Sequence, residues 1–308
     1  MRVSLSAVLL VCLSIASARL AAETKVTRDI EFARMGEKVL KLDLHVPAGE
    51  VRTPLVVYVH GGAWKSGLKD DMPLEKLVER GYAIASVDYR VSLVAPFPAQ
   101  IHDIKAAIRF LRAKGRELGV DSSRIVMAGS SAGGHLAALT GVSNGVKELE
   151  GTVGTNLTES SAVQGIISLY GASNLETILS QSTPKGVEFR RPAMELLLGG
   201  PVGEKAALAK LAGPVNHVDA NDPPLLLIHG DADPQMPYAQ SEELKRLYEK
   251  TKLRVQLETI RDGKHGGDEF YDDKRTDLMA AFLKSLTATP AAASSNPKPE
   301  APAPKSKP

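Results

Sequence analysis

Cysteine is almost missing from this chain of 308 residues: the single one, Cys12, lies within the first twenty positions. The body of the chain therefore has no disulfide, no cysteine-ligated zinc and no thiol nucleophile, so covalent catalysis would need another side chain. An excess of either charge is missing too. The 38 basic and 36 acidic residues leave a formal charge of +2, and no stretch gathers Lys and Arg densely enough to track a phosphate backbone. Nucleic acid is not an expected partner. Aromatic residues make up 5% of the chain, with Trp64 the only tryptophan. The longest apolar run, Val3 to Ala16, is too short to cross a bilayer. What remains, 43% hydrophobic and 24% charged residues, is the composition of a globular protein rather than a fibrous or disordered one.

The two ends differ from the middle. Residues 1–22 open with Met-Arg, pass through the apolar run and reach small residues at Ala16-Ser17-Ala18 and Ala21-Ala22. That is the plan of a secretory signal peptide, which implies a secreted or periplasmic protein with no stable membrane insertion after cleavage. Val11, just before Cys12, is too bulky for a lipoprotein cleavage site. Residues 287–308 are Ala, Pro, Ser and Lys almost throughout, with six prolines and no aliphatic side chain larger than Ala. Such a segment cannot bury enough surface to offset chain entropy and reads as a disordered tail.

Residues 23–286 alternate short Val/Ile/Leu runs with segments of helical period, the pattern of a mostly parallel sheet covered by helices on both faces, hence a single α/β domain. Strands are expected at Leu55 to Val59, Ala83 to Val87, Arg124 to Ala128, Val163 to Leu169, Leu225 to His229 and Arg254 to Ile260. Ile101, Ile104, Ala107, Ile108 and Leu111 predict an amphipathic helix over Gln100 to Leu118. Ile30 to Phe32 and Val39 to Leu44, with Gly36 between them, suggest a hairpin ahead of the parallel part. From Gly171 to Asn221 periodic signals are few, and this stretch is expected to form a small cap over the site. Asn156-Leu157-Thr158 is a glycosylation sequon, of consequence only in a eukaryote.

The chemistry is written most clearly in Gly129-Ser130-Ser131-Ala132-Gly133, which follows a strand and opens a helical stretch. A sharp strand-to-helix turn would hold Ser131 alone at its apex, while the helix start aims unpaired N–H groups at a developing oxyanion. Ser130 competes for the role, but only Ser131 has glycine two residues away on each side. A second loop, His60-Gly61-Gly62-Ala63-Trp64, leaves another strand end, and its glycines allow backbone N–H groups to turn inward beside that of Ala132. Gly61, Gly62 and Ala132 are thus the candidate oxyanion hole, and Trp64 is expected to pack a wall.

In doubly wound hydrolases the nucleophile precedes the acid and then the histidine. His45, His60 and His102 come too early. His135 lies in the nucleophile's own helix, His217 in an irregular stretch, and His229 ends a strand in His229-Gly230-Asp231-Ala232-Asp233. His265, in a glycine-rich loop after the last strand, is the only histidine beyond that acidic turn. Asp233 leads Asp231 as its partner because it lies further out along the loop, where Asp231 could cap the turn instead. Asp262 and Asp268 are the minority alternatives.

His-Gly-Gly-Ala-Trp, Gly-Ser-Ser-Ala-Gly-Gly-His, His-Gly-Asp-Ala-Asp and Gly-Lys-His-Gly, in this order, resemble the α/β-hydrolase superfamily, in its carboxylesterase branch near hormone-sensitive-lipase-like and feruloyl-esterase-like enzymes. The resemblance spans about residues 25–286. It implies an α/β-hydrolase fold and hydrolysis of short-acyl or aryl esters, small or polysaccharide-linked, acetyl and feruloyl groups among them. It also implies Ser131 as nucleophile, Asp233 as acid and His265 as base, with no cofactor and no metal. A peptidase of the same superfamily and a non-catalytic binding module are the alternatives. Tyr89-Arg90, Phe97-Pro98-Ala99-Gln100 and Asp103 match a stretch with expected structural roles. Met236 stands where valine is usual, and Gly266-Gly267 where an aromatic often follows the histidine, so the acyl pocket is expected to differ.

Overall fold

The computed structural model describes residues 24–49 and 53–287. The proposed leader and the tail beyond Thr287 lie outside the described residues. In chain order the elements are β1 (Lys25–Met35), β2 (Lys38–Val46), β3 (Thr53–Val59), α1 (Glu75–Glu79), β4 (Ala83–Val87), α2 (Ala99–Lys114), β5 (Val120–Ser130), α3 (Ala132–Val142) and α4 (Lys147–Glu150). They continue with β6 (Gly165–Leu169), α5 (Ile178–Gln181), α6 (Pro184–Leu198), α7 (Ala206–Ala212), β7 (Leu225–Gly230), α8 (Ala239–Lys250), β8 (Val255–Ile260) and α9 (Asp273–Thr287).

One eight-stranded sheet runs in the order β1-β2-β4-β3-β5-β6-β7-β8. β1 pairs antiparallel with β2, and β2 with β4, and every later pairing is parallel. The central strands β4, β6 and β7 are buried at every position because both faces are covered. In β3, Leu55, Val57 and Val59 pack toward α2 and α3, whereas Val56 and Tyr58 join Leu77 of α1 and Phe282 of α9 on the other face. A third cluster seats Leu244 and Tyr248 of α8 against Ala138 of α3 and Leu225 of β7. β8 at the edge alternates exposed and half-buried residues along most of its length.

The local differences from expectation have simple causes. α2 starts behind Pro98 with no side-chain cap, yet Ile101, Ile104, Ile108 and Leu111 are fully buried. At about 1.5–3 kcal/mol for each such side chain, that stripe outweighs the missing cap. The helix stops at Lys114, short of Leu118, because the chain must turn through Gly115 and Gly119 (φ +77°) to enter β5. β5 is longer than Arg124 to Ala128 because Thr53 and Pro54 of β3 extend its ladder to Val120 and Asp121. β6 begins at Gly165, not Val163, since Gln164 donates its N–H to Ile125 O and its side chain accepts from Ile125 N, which closes the entry to the ladder. The segment 171–221 is substantially helical. α6 has the start and stop that the pattern reading passed over: the Thr183 side chain caps Gly186 N, Pro184 follows it, and Gly199 ends the helix at φ +70°.

Candidate active site

All the parallel strands end on the same side, and four loops meet there. β5 runs into α3 through Ser131, whose backbone sits at φ 54°, ψ −117°. A β-carbon on Gly129 would strike Gly133 O, and one on Gly133 would land on Val59 O. The turn thus requires glycine on both sides for lack of space, as well as a strained residue at its apex. The N–H of Ser131 is taken by Leu169 O at 2.9 Å, while Ala132 opens α3, where first-turn N–H groups have no partner within the helix.

Ser131 Oγ lies 2.8 Å from His265 Nε2, and His265 Nδ1 lies 2.7 Å from Asp233 Oδ2. A carboxylate only accepts, so the proton sits on Nδ1, and Nε2 is left to accept from the serine hydroxyl. Asp233 Oδ1 accepts from the N–H groups of Gln235 and Met236 at 2.7 and 2.8 Å. Burial alone would raise the pKa of this carboxyl. The hydrogen bonds from His229, His265 and the Met236 amide outweigh burial and hold the group well below the usual carboxylate range. Asp231 has another task, accepting from Asp262 N at 2.6 Å, which ties the acid loop to the histidine loop. Asp262 and Asp268 make no contact with His265 among the bonds described. Ser130 points inward, with Oγ 2.9 Å from the hydroxyl of buried Tyr58.

The loop after β3 passes beside the serine. Gly61 approaches so closely that a β-carbon there would be 3.1 Å from Ser130 O and 3.4 Å from Ser131 Cβ. Gly62 turns at φ +105° and its carbonyl accepts from Lys65 N and Ser66 N; Ala63 and Trp64 follow at φ 52° and 60° and face the cleft. Trp64 does form a wall, and it has a second role. Its Nε1 donates to His135 Nδ1 at 3.0 Å, and His135 Nε2 donates in turn to Ala212 O at 2.7 Å. His135 is thereby held neutral, and burial pulls its pKa down to about 4. His60 stacks on Tyr89 at 4.4 Å, and the Tyr89 hydroxyl donates to His60 O. Arg90 grips buried Asp103 with Nε and Nη2, and Gln100 donates to Arg90 O and Ala95 O, so these residues brace the loop after β4.

The cleft over Ser131 encloses about 310 Å³, its open mouth included. Its far wall is Phe189, Arg190 and Ala193 of α6 with Gln235 and Met236 of the acid loop. The α6 residues were invisible to the pattern reading, although Thr183-Pro184 and Gly199-Gly200 bracket them as helix signals. Tyr170 was also missed. At the end of β6, with φ 41°, it sets its ring edge-on to His265 at 4.9 Å, and a β-carbon on Gly266 would lie 3.2 Å from its hydroxyl. The aromatic that Gly266-Gly267 lacks is thus supplied from another strand.

Comparison with known proteins agrees with this architecture. The chain is 30% identical to esterase LipC of Mycobacterium tuberculosis over 243 residues, which are 76% of this chain and 58% of that protein. It spans about half the length of the curated relatives it matches first. Among solved structures, a truncated carbohydrate esterase from gut microbiota superposes with a TM-score of 0.77 at 28% identity, covering 88% of this chain and 99% of that one. The butyrate-bound esterase Est2 of Thermogutta terrifontis gives 0.69 at 28% identity, covering 87% and 95%. The BD-FAE family profile matches residues 42–248, from β2 through the serine turn and the acid loop to α8. With well over half of its length in that match and the sheet order above, the chain belongs to the BD-FAE family and has the α/β-hydrolase fold.

Proposed function

We propose that the protein hydrolyses carboxylic esters by a serine mechanism, and the observation that carries this is the unbroken line from Ser131 Oγ through His265 to Asp233 at 2.8 and 2.7 Å. Ser131 Oγ attacks the ester carbonyl carbon as its proton passes to His265 Nε2. Asp233, accepting from Nδ1, stabilises the imidazolium so formed and keeps the ring in the useful tautomer. The negative oxygen of the tetrahedral intermediate is received by backbone N–H groups of Ala132 and of the Gly61-Gly62 turn. The intermediate collapses as His265 returns the proton to the departing alcohol, and water then cleaves the acyl-enzyme by the same route reversed. The esterase names of the relatives and the carbohydrate esterase among the structural neighbours support this reading, with acetyl or feruloyl esters of polysaccharide as the substrate class. Export belongs to the same proposal and rests on the composition of residues 1–22.

The test is hydrolysis of 4-nitrophenyl acetate, acetylated xylan and methyl ferulate by the wild type and by Ser131→Ala. Turnover by the wild type and a loss of about 10⁴-fold or more in a folded variant is the expected result. Retained turnover in Ser131→Ala overturns the mechanism, and absence of wild-type turnover on all three overturns the substrate class.

A further inference from the structure

Four cationic side chains are buried among the described residues: Lys69, Lys105, Arg109 and Arg190. Three have carboxylates within 4 Å. Lys69 meets Asp43 at 2.9 Å, Lys105 meets Glu150 at 2.6 Å, and Arg109 lies 3.8 Å from the same Glu150. Arg190 is the exception. Its residue is 3% exposed, and among the described residues no carboxylate pairs with it and its one side-chain hydrogen bond runs from Nη1 to Ser182 Oγ. Nη2 is fully buried with no acceptor among the described residues.

Its position gives the vacancy meaning. Arg190 is on the inner face of α6 and lines the cleft together with Ser131 and His265. Asp233 is near enough to favour its charge, yet the Asp233 oxygens are already engaged by His265 and by the amides of Gln235 and Met236. Burial draws the guanidinium down to about 10, so it remains a cation at neutral pH. With Nη1 tethered to Ser182, the edge left over is Nε with Nη2. Two parallel donors on one guanidinium edge match the two oxygens of a carboxylate. A buried, unpaired charge is also the costliest arrangement a protein can keep without a partner to relieve it.

We propose that Arg190 is a substrate-recognition residue, and that the preferred esters carry a carboxylate a few atoms from the scissile bond. This rests on the ester-hydrolase reading of the same cleft. The acidic group can sit on the acyl side, as in a dicarboxylic half-ester, or on the alcohol side, as in an acylated acidic sugar. Substrate binding then supplies the anion that the fold leaves out, and it does so next to the serine.

Isosteric pairs separate the two sides. Monoethyl succinate is set against ethyl 4-methylpentanoate for the acyl side, and acetoxyacetate against isobutyl acetate for the alcohol side. In the wild type, kcat/KM is expected to favour the acidic member of at least one pair by about 10-fold or more, as a charge-assisted bidentate pair would. Arg190→Met, apolar and of similar length, should abolish or invert that ratio, and Arg190→Lys should fall between. Independently, calorimetry on Ser131→Ala should show monoethyl succinate or acetoxyacetate binding that disappears in the Ser131→Ala, Arg190→Met double variant. Neutral members favoured in both pairs by the wild type, or ratios unchanged in both Arg190 variants, overturn the proposal while leaving the hydrolase standing. Arg190-dependent binding without turnover of any ester sinks the hydrolase reading and keeps the recognition. Neither binding nor turnover sinks both.

Discussion

The serine turn and the cap helix face each other across one cleft, yet they are built by different means. The turn from β5 to α3 is a packing solution: backbone lies against backbone at Gly129, Gly133 and Val59, and nothing larger than hydrogen fits. α6 is held by side chains, namely the Thr183 cap, the Arg190 bond to Ser182, and Met194, Leu197 and Leu198 buried in the core. Phe189 on its cleft side remains 51% exposed. Geometry set by the backbone tolerates almost no substitution, whereas a helix surface can change its residues and keep its place. On the proposed serine mechanism the turn is where reactivity is fixed, and the α6 face is where substrate choice can vary.

Substitutions can break that contrast, and the largest effects belong to the hydrogen-bonded line. His265→Ala should cost as much ester turnover as Ser131→Ala, about 10⁴-fold or more, because members of such a unit fail together. Asp233→Asn should lose about 10³- to 10⁴-fold through the wrong imidazole tautomer. Asp231→Asn, whose native role is to hold Asp262 N, should stay within about 2-fold, for any larger change in rate from so small a perturbation would need a part in the chemistry. Initial rates on a short-chain ester, with circular dichroism to verify folding, decide among them. If Asp231→Asn is the crippling change, the acid has been placed two residues too far along the chain.

Gly133→Ala should act on the fold first. Its β-carbon would land on the Val59 carbonyl oxygen, and the overpacking should lower stability by about 3 kcal/mol or more in urea titration. A variant as stable as the wild type would mean that the turn has slack.

His135, beneath the turn, should show itself in pH dependence. Its folded pKa of about 4 lies below the ordinary histidine value of 6.5, so the unfolded chain binds the proton first as the solution is acidified. Its contribution is fully present above about 6.5 and is lost as pH falls from there toward about 4, at close to 3 kcal/mol in total. His60 and His45 are shifted down as well and act with the same sign. His135→Gln should therefore flatten part of the slope of urea midpoint against pH over that window. An unchanged slope would show that His135 is not what titrates.

The smallest effect should come from the cap. Phe189→Ala removes apolar area from the rim, which should raise KM for aryl esters by about 3- to 10-fold while kcat and melting temperature hardly move. A fall in kcat as large as that of Asp233→Asn would place the cap in the chemistry rather than in binding.

Residues close together in the chain were legible without a structure. Short continuous apolar runs reveal the parallel strands and a 3.6-residue period reveals α2, since a strand buried on both faces and a helix buried on one demand those patterns of any sequence. The serine turn is equally local: Gly129, Ser131 and Gly133 span five residues, and the steric need for two glycines around a strained one is written in them. Even the order of Ser131, Asp233 and His265 could be read, because a parallel sheet brings strand ends to one side whatever the loops contain. What only the tertiary structure decided depends on residues far apart. Tyr170 reaches His265 across 95 positions, Trp64 reaches His135 across 71, and α6 returns across the strand ends to set Arg190 beside them. No spacing rule joins such pairs, and an arginine in an amphipathic helix reads as solvent-facing until the packing shows that it has been carried inside and left without an anion.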